Sequence, residues 1–287
     1  MKRLVAALAA SLAAAAAAQE AAPRWYVQVD NDFFFDTDRW YSSGVRIARV
    51  SPPAADTTEW ALQQAVWSPE GKHFRPGVAD RTPTAILDGR FAWHHREDGL
   101  FQTIELAAGV RGRGAQGERA TRFVHHFVSA ADVEWERDVK SEFAASVGAT
   151  RTYVAGPIAL HYGAVAGNEM TFAHGGIEWR TAGAGFSPVL RYVATPPFDT
   201  GTATPRGWGA FVGTSVRGVA RNRLLDRPYE VDTARPDRKD AVARVAAGIT
   251  AQQPWGAVNL ALVVESREFE QQRQPQRFGS LMLHLPF

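Results

Sequence analysis

Residues 276–287 read QRFGSLMLHLPF: Leu281, Leu283, Leu285 and Phe287 fall on one face of an extended chain, and Met282, His284 and Pro286 on the other. A period of two marks a strand with unlike surroundings on its two sides. Just upstream, Val258, Leu260, Leu262 and Val264 alternate with Asn259 and Ala261 before the charged run Glu265-Ser266-Arg267-Glu268. Toward the amino terminus, alternating segments recur at roughly 24–34, 42–51, 59–68, 87–96, 100–111, 141–150, 153–165, 170–182, 207–219, 240–252, 255–267 and 276–287, between stretches rich in Gly, Pro, Asp and Arg. An all-β, antiparallel transmembrane β-barrel of about twelve strands fits this rhythm better than a sandwich, whose strands are nearer half as long. A soluble β-protein would show the same alternation, so a lipid-facing exterior is an expectation. On the barrel reading, Trp25, Trp40, Tyr41, Trp208 and Phe269 sit at strand ends as interfacial girdles.

The first eighteen residues, MKRLVAALAASLAAAAAA, have a charged head, an apolar body and an Ala-x-Ala end, the pattern of a cleaved secretory signal (1–18) ahead of a single domain over 19–287. No later apolar run reaches membrane-helix length, so any membrane crossing must be made by strands. The formal net charge of +2 is too small to argue for nucleic acid. Cysteine is absent, which removes disulfide-stapled folds and suits a chain locked by a strand ladder.

Two places break the strand rhythm. In Gly112–Ser129 the apolar spacing Phe123, Val124, Phe127, Val128 predicts a short helix with one apolar side, and His125 and His126 lie within it. The charged, Pro-containing stretch Arg221–Lys239 reads as a long surface loop. A third stretch, Val29–Ala48 (VDNDFFFDTDRWYSSGVRIA), holds more polarity than a plain strand needs. Asn31 and Asp32 arrive where the first strand ends, and pairing with the second would bring Ser42 near them. Carboxylate, amide and hydroxyl oxygens suit a hard cation such as calcium, although an Asp/Ser-rich hairpin loop facing water has the same composition.

His125 is the best candidate for a general base, because histidine titrates near neutrality without special perturbation. His94-His95 is a poor chelate, since neighbours in a strand point to opposite faces. No HExxH, GxSxG, Walker or CxxC pattern occurs, and Ser68 has no base implied beside it, so zinc-protease, α/β-hydrolase, phosphate-loop and thiol chemistry are unsupported.

These stretches resemble a known family. Asn31-Asp32 followed by Thr37-Asp38-Arg39-Trp40-Tyr41-Ser42-Ser43-Gly44 is similar to the "END…GTDRYYTxG" signature of the outer-membrane lipid A 3′-O-deacylases (LpxR), calcium-dependent twelve-stranded barrels. Trp67-Ser68-Pro69 with Asp80-Arg81 resembles "YTP…DRPYAG". The run from Gly109 to His125, with Trp135 and Glu142, resembles the one that carries the family's catalytic histidine. Gly167-Asn168, Ala220-Arg221-Asn222 with Leu225-Asp226, and Arg267-Glu268-Phe269 with Gln272 extend the likeness along the chain. It implies a monomeric outer-membrane enzyme acting on lipid A of lipopolysaccharide. A histidine would activate water while calcium polarises the ester carbonyl.

Carried over by position, His125 is the base, Asp32 a calcium ligand, Asn31 its orienting neighbour and Ser42 the hydroxyl of the YTxG slot. Arg81 would contact the anionic head group or oxyanion, and Glu142 matches an acidic position without an assigned role. The resemblance also sets the site on the outside of the barrel wall rather than in the lumen. Gly112-Arg113 stands for the family's Gly-Pro, Thr121 and Asp138 for glutamines, and Thr82-Pro83 for the Pro-Tyr after Arg81. An outer-membrane phospholipase and a non-catalytic barrel serving as pore or scaffold are the alternatives.

Overall fold

The computed structural model describes residues 23–35, 40–52, 54–70, 78–128, 133, 135, 140–181, 189–190, 192, 207–226, 235–253 and 256–286. The expected signal segment, Thr37, Asp38, Arg39, Asp138, Phe287 and the side chains of Phe127 and Val128 lie outside the described set. Twelve strands run β1 (Arg24–Asn31), β2 (Trp40–Val50), β3 (Asp56–Ser68), β4 (Thr84–Glu97), β5 (Leu100–Arg111), β6 (Glu142–Ala155), β7 (Ile158–Gly167), β8 (Met170–Arg180), β9 (Gly207–Asn222), β10 (Ala241–Gln253), β11 (Gly256–Glu265) and β12 (Gln276–Pro286). Each pairs with its neighbours in sequence, and β12 closes on β1 with Trp25 opposite Leu285 and Val29 opposite Leu281. Closure satisfies every strand's ladder and leaves no open edge, as a sheet in apolar surroundings requires.

The alternation seen in the sequence becomes the two sides of this wall. Trp60, Leu62, Leu106, Val147, Leu160, Leu260 and Leu262 point outward and are exposed. Tyr26, Arg46, Glu59, Glu105, Arg217 and Glu265 point inward and are buried. An apolar exterior around a polar interior inverts the soluble pattern and is that of a barrel in lipid. The last strand follows suit, with Leu281 outward and Met282 inward. Strand connections at the end with the chain termini include 51–55, 98–99, 156–157 and 254–255; the opposite, long-loop end carries 32–39, 69–83, 112–141, 223–240 and 266–275. Helix α1 (Gly117–Val128) sits in the 112–141 connection, and a single turn α2 (Arg223–Asp226) follows β9.

Three sequence expectations change. Of the aromatics assigned to girdles, Trp25 and Trp208 are exposed on the exterior, whereas Trp40 and Phe269 are fully buried together with Leu225. Tyr41 turns into the lumen and donates its hydroxyl to Asp30 at 2.9 Å. The Arg221–Lys239 stretch opens inside β9 and α2 rather than as loop, and Leu224 and Leu225 are buried; residues 227–234 lie outside the described set. The connection after β8 sends Val189 and Leu190 into the lumen to pack on Phe211, Ala246, Val263 and Phe278, and Arg244 Nη1 donates to the Val189 carbonyl at 2.6 Å.

Candidate functional site

Which side of the wall each candidate occupies follows from strand register. On β1, Tyr26, Gln28 and Asp30 line the lumenal cavity, so Asn31 belongs to the outward row with Trp25, Val27 and Val29. Its partner on β2 is Ser43. Alternation from the lumenal Arg46 and Gly44 would send Ser42 inward, but the β2–β3 register shifts between Tyr41 and Ser43, so Ser42 is an extra residue in a bulge. A bulge re-aims the side chain it carries. The Ser42 hydroxyl meets that of Ser68, the last residue of the outward row Trp60, Leu62, Gln64, Val66, Ser68 on β3.

The local sequence supports this re-aiming. Trp40 has φ 62°, in the left-handed region that bulky residues avoid, and its burial against Leu225 and Phe269 holds it there. Gly44 leaves room for Tyr41, because a Cβ at this position would lie 2.0 Å from the tyrosine oxygen and the ring would have to move. Asp32 follows Asn31 directly and opens a 3-10 turn, Asp32–Phe35, packed on β12 and β2; it is only 2% exposed.

The connection bearing His125 folds over the same exterior. Val66 and Ala85, outward-facing on β3 and β4, are buried beneath Ala115, Val133 and Trp135. Gln64 Nε2 donates to the Ala115 carbonyl at 2.6 Å. Helix α1 contacts β3 and β4, starting from a glycine because a Cβ on Gly117 would fall 2.6 Å from the Ala85 Cβ and 2.8 Å from the Trp135 ring. Thr121, one turn on, is also buried, and His125, a turn further, is half-buried. Asn31, Ser42, Ser68 and the His125 helix therefore share one face of neighbouring strands. In the sequence Ser68 has no base implied beside it; its partner, Ser42, is selected by the bulge.

Arg81 and Glu142 lie elsewhere. Arg81 is 2% exposed, forms an ion pair with Glu268, and sits 6.0 Å from the Phe269 ring centre. Glu268 in turn accepts from Arg217 at 2.5 Å, and Arg217 and Arg244 share Glu265 at 2.9 and 2.7 Å. Glu142 is bound by Arg111 and, at 2.9 Å, by Arg223. Both candidates thus belong to the ionic lining of the lumen and its mouth. A second lumenal network joins Tyr26, Arg46 and Glu59, with Arg46 to Glu105 at 3.2 Å and Arg90 to Glu105 at 2.8 Å and to Asp88 at 2.7 Å. Between these networks remains a cavity of about 280 Å³. His94 faces this interior, bonded to Thr103 at 2.9 Å, while His95 faces out to Asp56 at 2.8 Å, so the pair is split as alternation predicts.

The oxygen donors at this end of the wall are the Asn31 amide and the Ser42 and Ser68 hydroxyls, with the buried Asp32 carboxylate in the turn that follows Asn31. Among the described residues no group of three or more His, Cys, Asp or Glu side chains assembles, which does not match a zinc-type cluster. One buried carboxylate with neutral oxygens fits a hard cation that completes its shell with carbonyls and water.

The family model described as Outer membrane protein LpxR matches residues 4–287. No curated protein sequence matches the chain. Among solved structures, LpxR from Salmonella typhimurium superposes with a TM-score of 0.75 at 17% identity, covering 92% of this chain and 100% of that one. The translocator domain of the autotransporter NalP from Neisseria meningitidis superposes with a TM-score of 0.50 at 10% identity, covering 99% and 98%. Likenesses at such identity speak for the barrel fold.

Proposed function

The chain belongs to the LpxR family of outer membrane proteins, and from that premise we propose that it is a calcium-dependent lipid A deacylase that hydrolyses the 3′-linked acyloxyacyl ester, with His125 as general base. The observation that carries this reading is that the His125 helix packs on the outward side of β3 and β4, next to the ends of β1 and β2 that bear Asn31 and Ser42 and joined to them through the Ser42–Ser68 contact. A site there meets lipid in the leaflet without threading it into the lumen, which Val189, Leu190 and the ion pairs occupy.

His125 takes the proton of the attacking water, which adds to the ester carbonyl carbon; the bond to the sugar oxygen then breaks and that oxygen takes the proton back from His125, leaving a free hydroxyl, a fatty acid and the base regenerated. Asp32, with Asn31 and Ser42 beside it, would hold calcium, which when bound polarises the ester carbonyl. Ser68 fixes the Ser42 hydroxyl, and Asn31 offers an amide to orient substrate. Arg81 and Glu142 act through the framework, since their charges are matched by Glu268 and by Arg111 and Arg223.

Mass spectra of lipid A after incubation with the purified protein and calcium test the proposal. Loss of the 3′-acyloxyacyl mass is expected with calcium and not with a chelator. Unchanged lipid A alongside hydrolysed glycerophospholipid would replace it with the phospholipase reading.

A further inference from the structure

Helix α1 presents three different sides. Gly117 and Thr121 face the wall, and Phe123 and Val124 are exposed on one flank, Phe123 by 67%. On the other flank, residues spaced i, i+4 and i+7 bring Glu118, Arg122 and His125 into one stripe. Arg122 Nη2 lies 2.7 Å from Glu118 Oε1, with the two side chains 65% and 44% exposed. Such an exposed i,i+4 pair is held weakly, so a better anion can displace the glutamate.

We propose that Arg122 is a specificity residue that binds a phosphate on the sugar carbon next to the one bearing the scissile ester. The proposal rests on the lipid A reading above. Residues three apart on a helix are surface neighbours. An ester held at His125 therefore presents a substituent on the adjacent carbon to the Arg122 guanidinium, whose planar fork matches phosphate oxygens. On the opposite flank Phe123 and Val124 meet acyl chains, since α1 lies on the exterior where the apolar belt ends. Arg119 is also exposed but lies roughly 120° around the helix from His125 at 100° per residue. It attracts an anionic surface without reaching this phosphate.

Three lipids separate the possibilities: lipid A with both phosphates, lipid A lacking only the vicinal phosphate, and lipid A lacking only the distal one. Wild type is expected to turn over the first and third about tenfold faster than the second, the factor of one charge-assisted contact. In Arg122→Gln this ratio collapses to within about twofold, while Arg119→Gln keeps it. Equal wild-type rates on all three lipids, or an unchanged ratio in Arg122→Gln, overturn the proposal. Binding of the three lipids to His125→Ala protein, alone and with Arg122→Gln added, gives the same comparison without turnover. If wild type cleaves none of them, the deacylase reading fails on its own. Equal binding of the three lipids then removes the phosphate contact as well, whereas a preference abolished by Arg122→Gln retains it.

Discussion

The two faces of one wall at its long-loop end handle polarity in opposite ways. In the lumen, arginines and carboxylates neutralise each other: Glu265 serves Arg217 and Arg244, Glu268 serves Arg217 and Arg81, and Arg111 serves Glu142 and Glu169. On the exterior, Asn31, Ser42 and Ser68 at the ends of β1 to β3 bring oxygen donors next to the His125 helix on β3 and β4, and the ion pair on that helix, Arg122 with Glu118, is exposed to solvent. Internal neutrality makes a rigid, closed interior. A cluster of oxygen donors beside an imidazole is what a cation and an ester need.

The largest effect that would break this contrast is at His125. His125→Ala should cut deacylation about a thousandfold, the scale of a lost general base, with the folded band on unheated gels unchanged. A loss below about tenfold would move the chemistry elsewhere. Glu265→Gln should act on the other face, costing about 3 kcal/mol in urea unfolding because two buried guanidiniums lose a charge. The fraction still folded should retain its specific activity; lost activity at unchanged stability would join the lumen to the site.

Two glycines sharpen the same comparison. Gly117→Ala would lift α1 from Ala85 and Trp135 and should lower activity about tenfold with little change in stability. Gly44→Ala would push the Tyr41 ring from Asp30 and should cost about 2 kcal/mol of stability, read in the same unfolding assay. The smallest effect is expected at Ser68→Ala, about fivefold in rate, because the Ser42 hydroxyl loses one hydrogen-bond partner.

Much of this was legible in the chain because strand alternation is a local signal. The segment 100–111 coincides with β5, and α1 falls where Phe123 and Val124 break the period. What local pattern cannot carry is the side of the wall at polar strand ends. Ser42 counts as inward until the bulge at Tyr41 and Ser43 is known, and Trp40 counts as a girdle residue until its left-handed backbone turns it under Leu225 and Phe269. Arg81 resembles a head-group contact, yet its partner Glu268 stands 187 residues away, beyond any periodicity argument. Val189 and Leu190 fall between the expected strands, and nothing adjacent in sequence tells that these two side chains pack on Phe211 and Phe278.

Diffraction from crystals grown with calcium tests the exterior site most directly. One ion is expected at the Asp32 carboxylate on the outward face of the wall, with the His125 imidazole facing it across room for a water. An ion held instead among Glu265, Glu268 and Asp88 in the lumen, with none at Asp32, would contradict it.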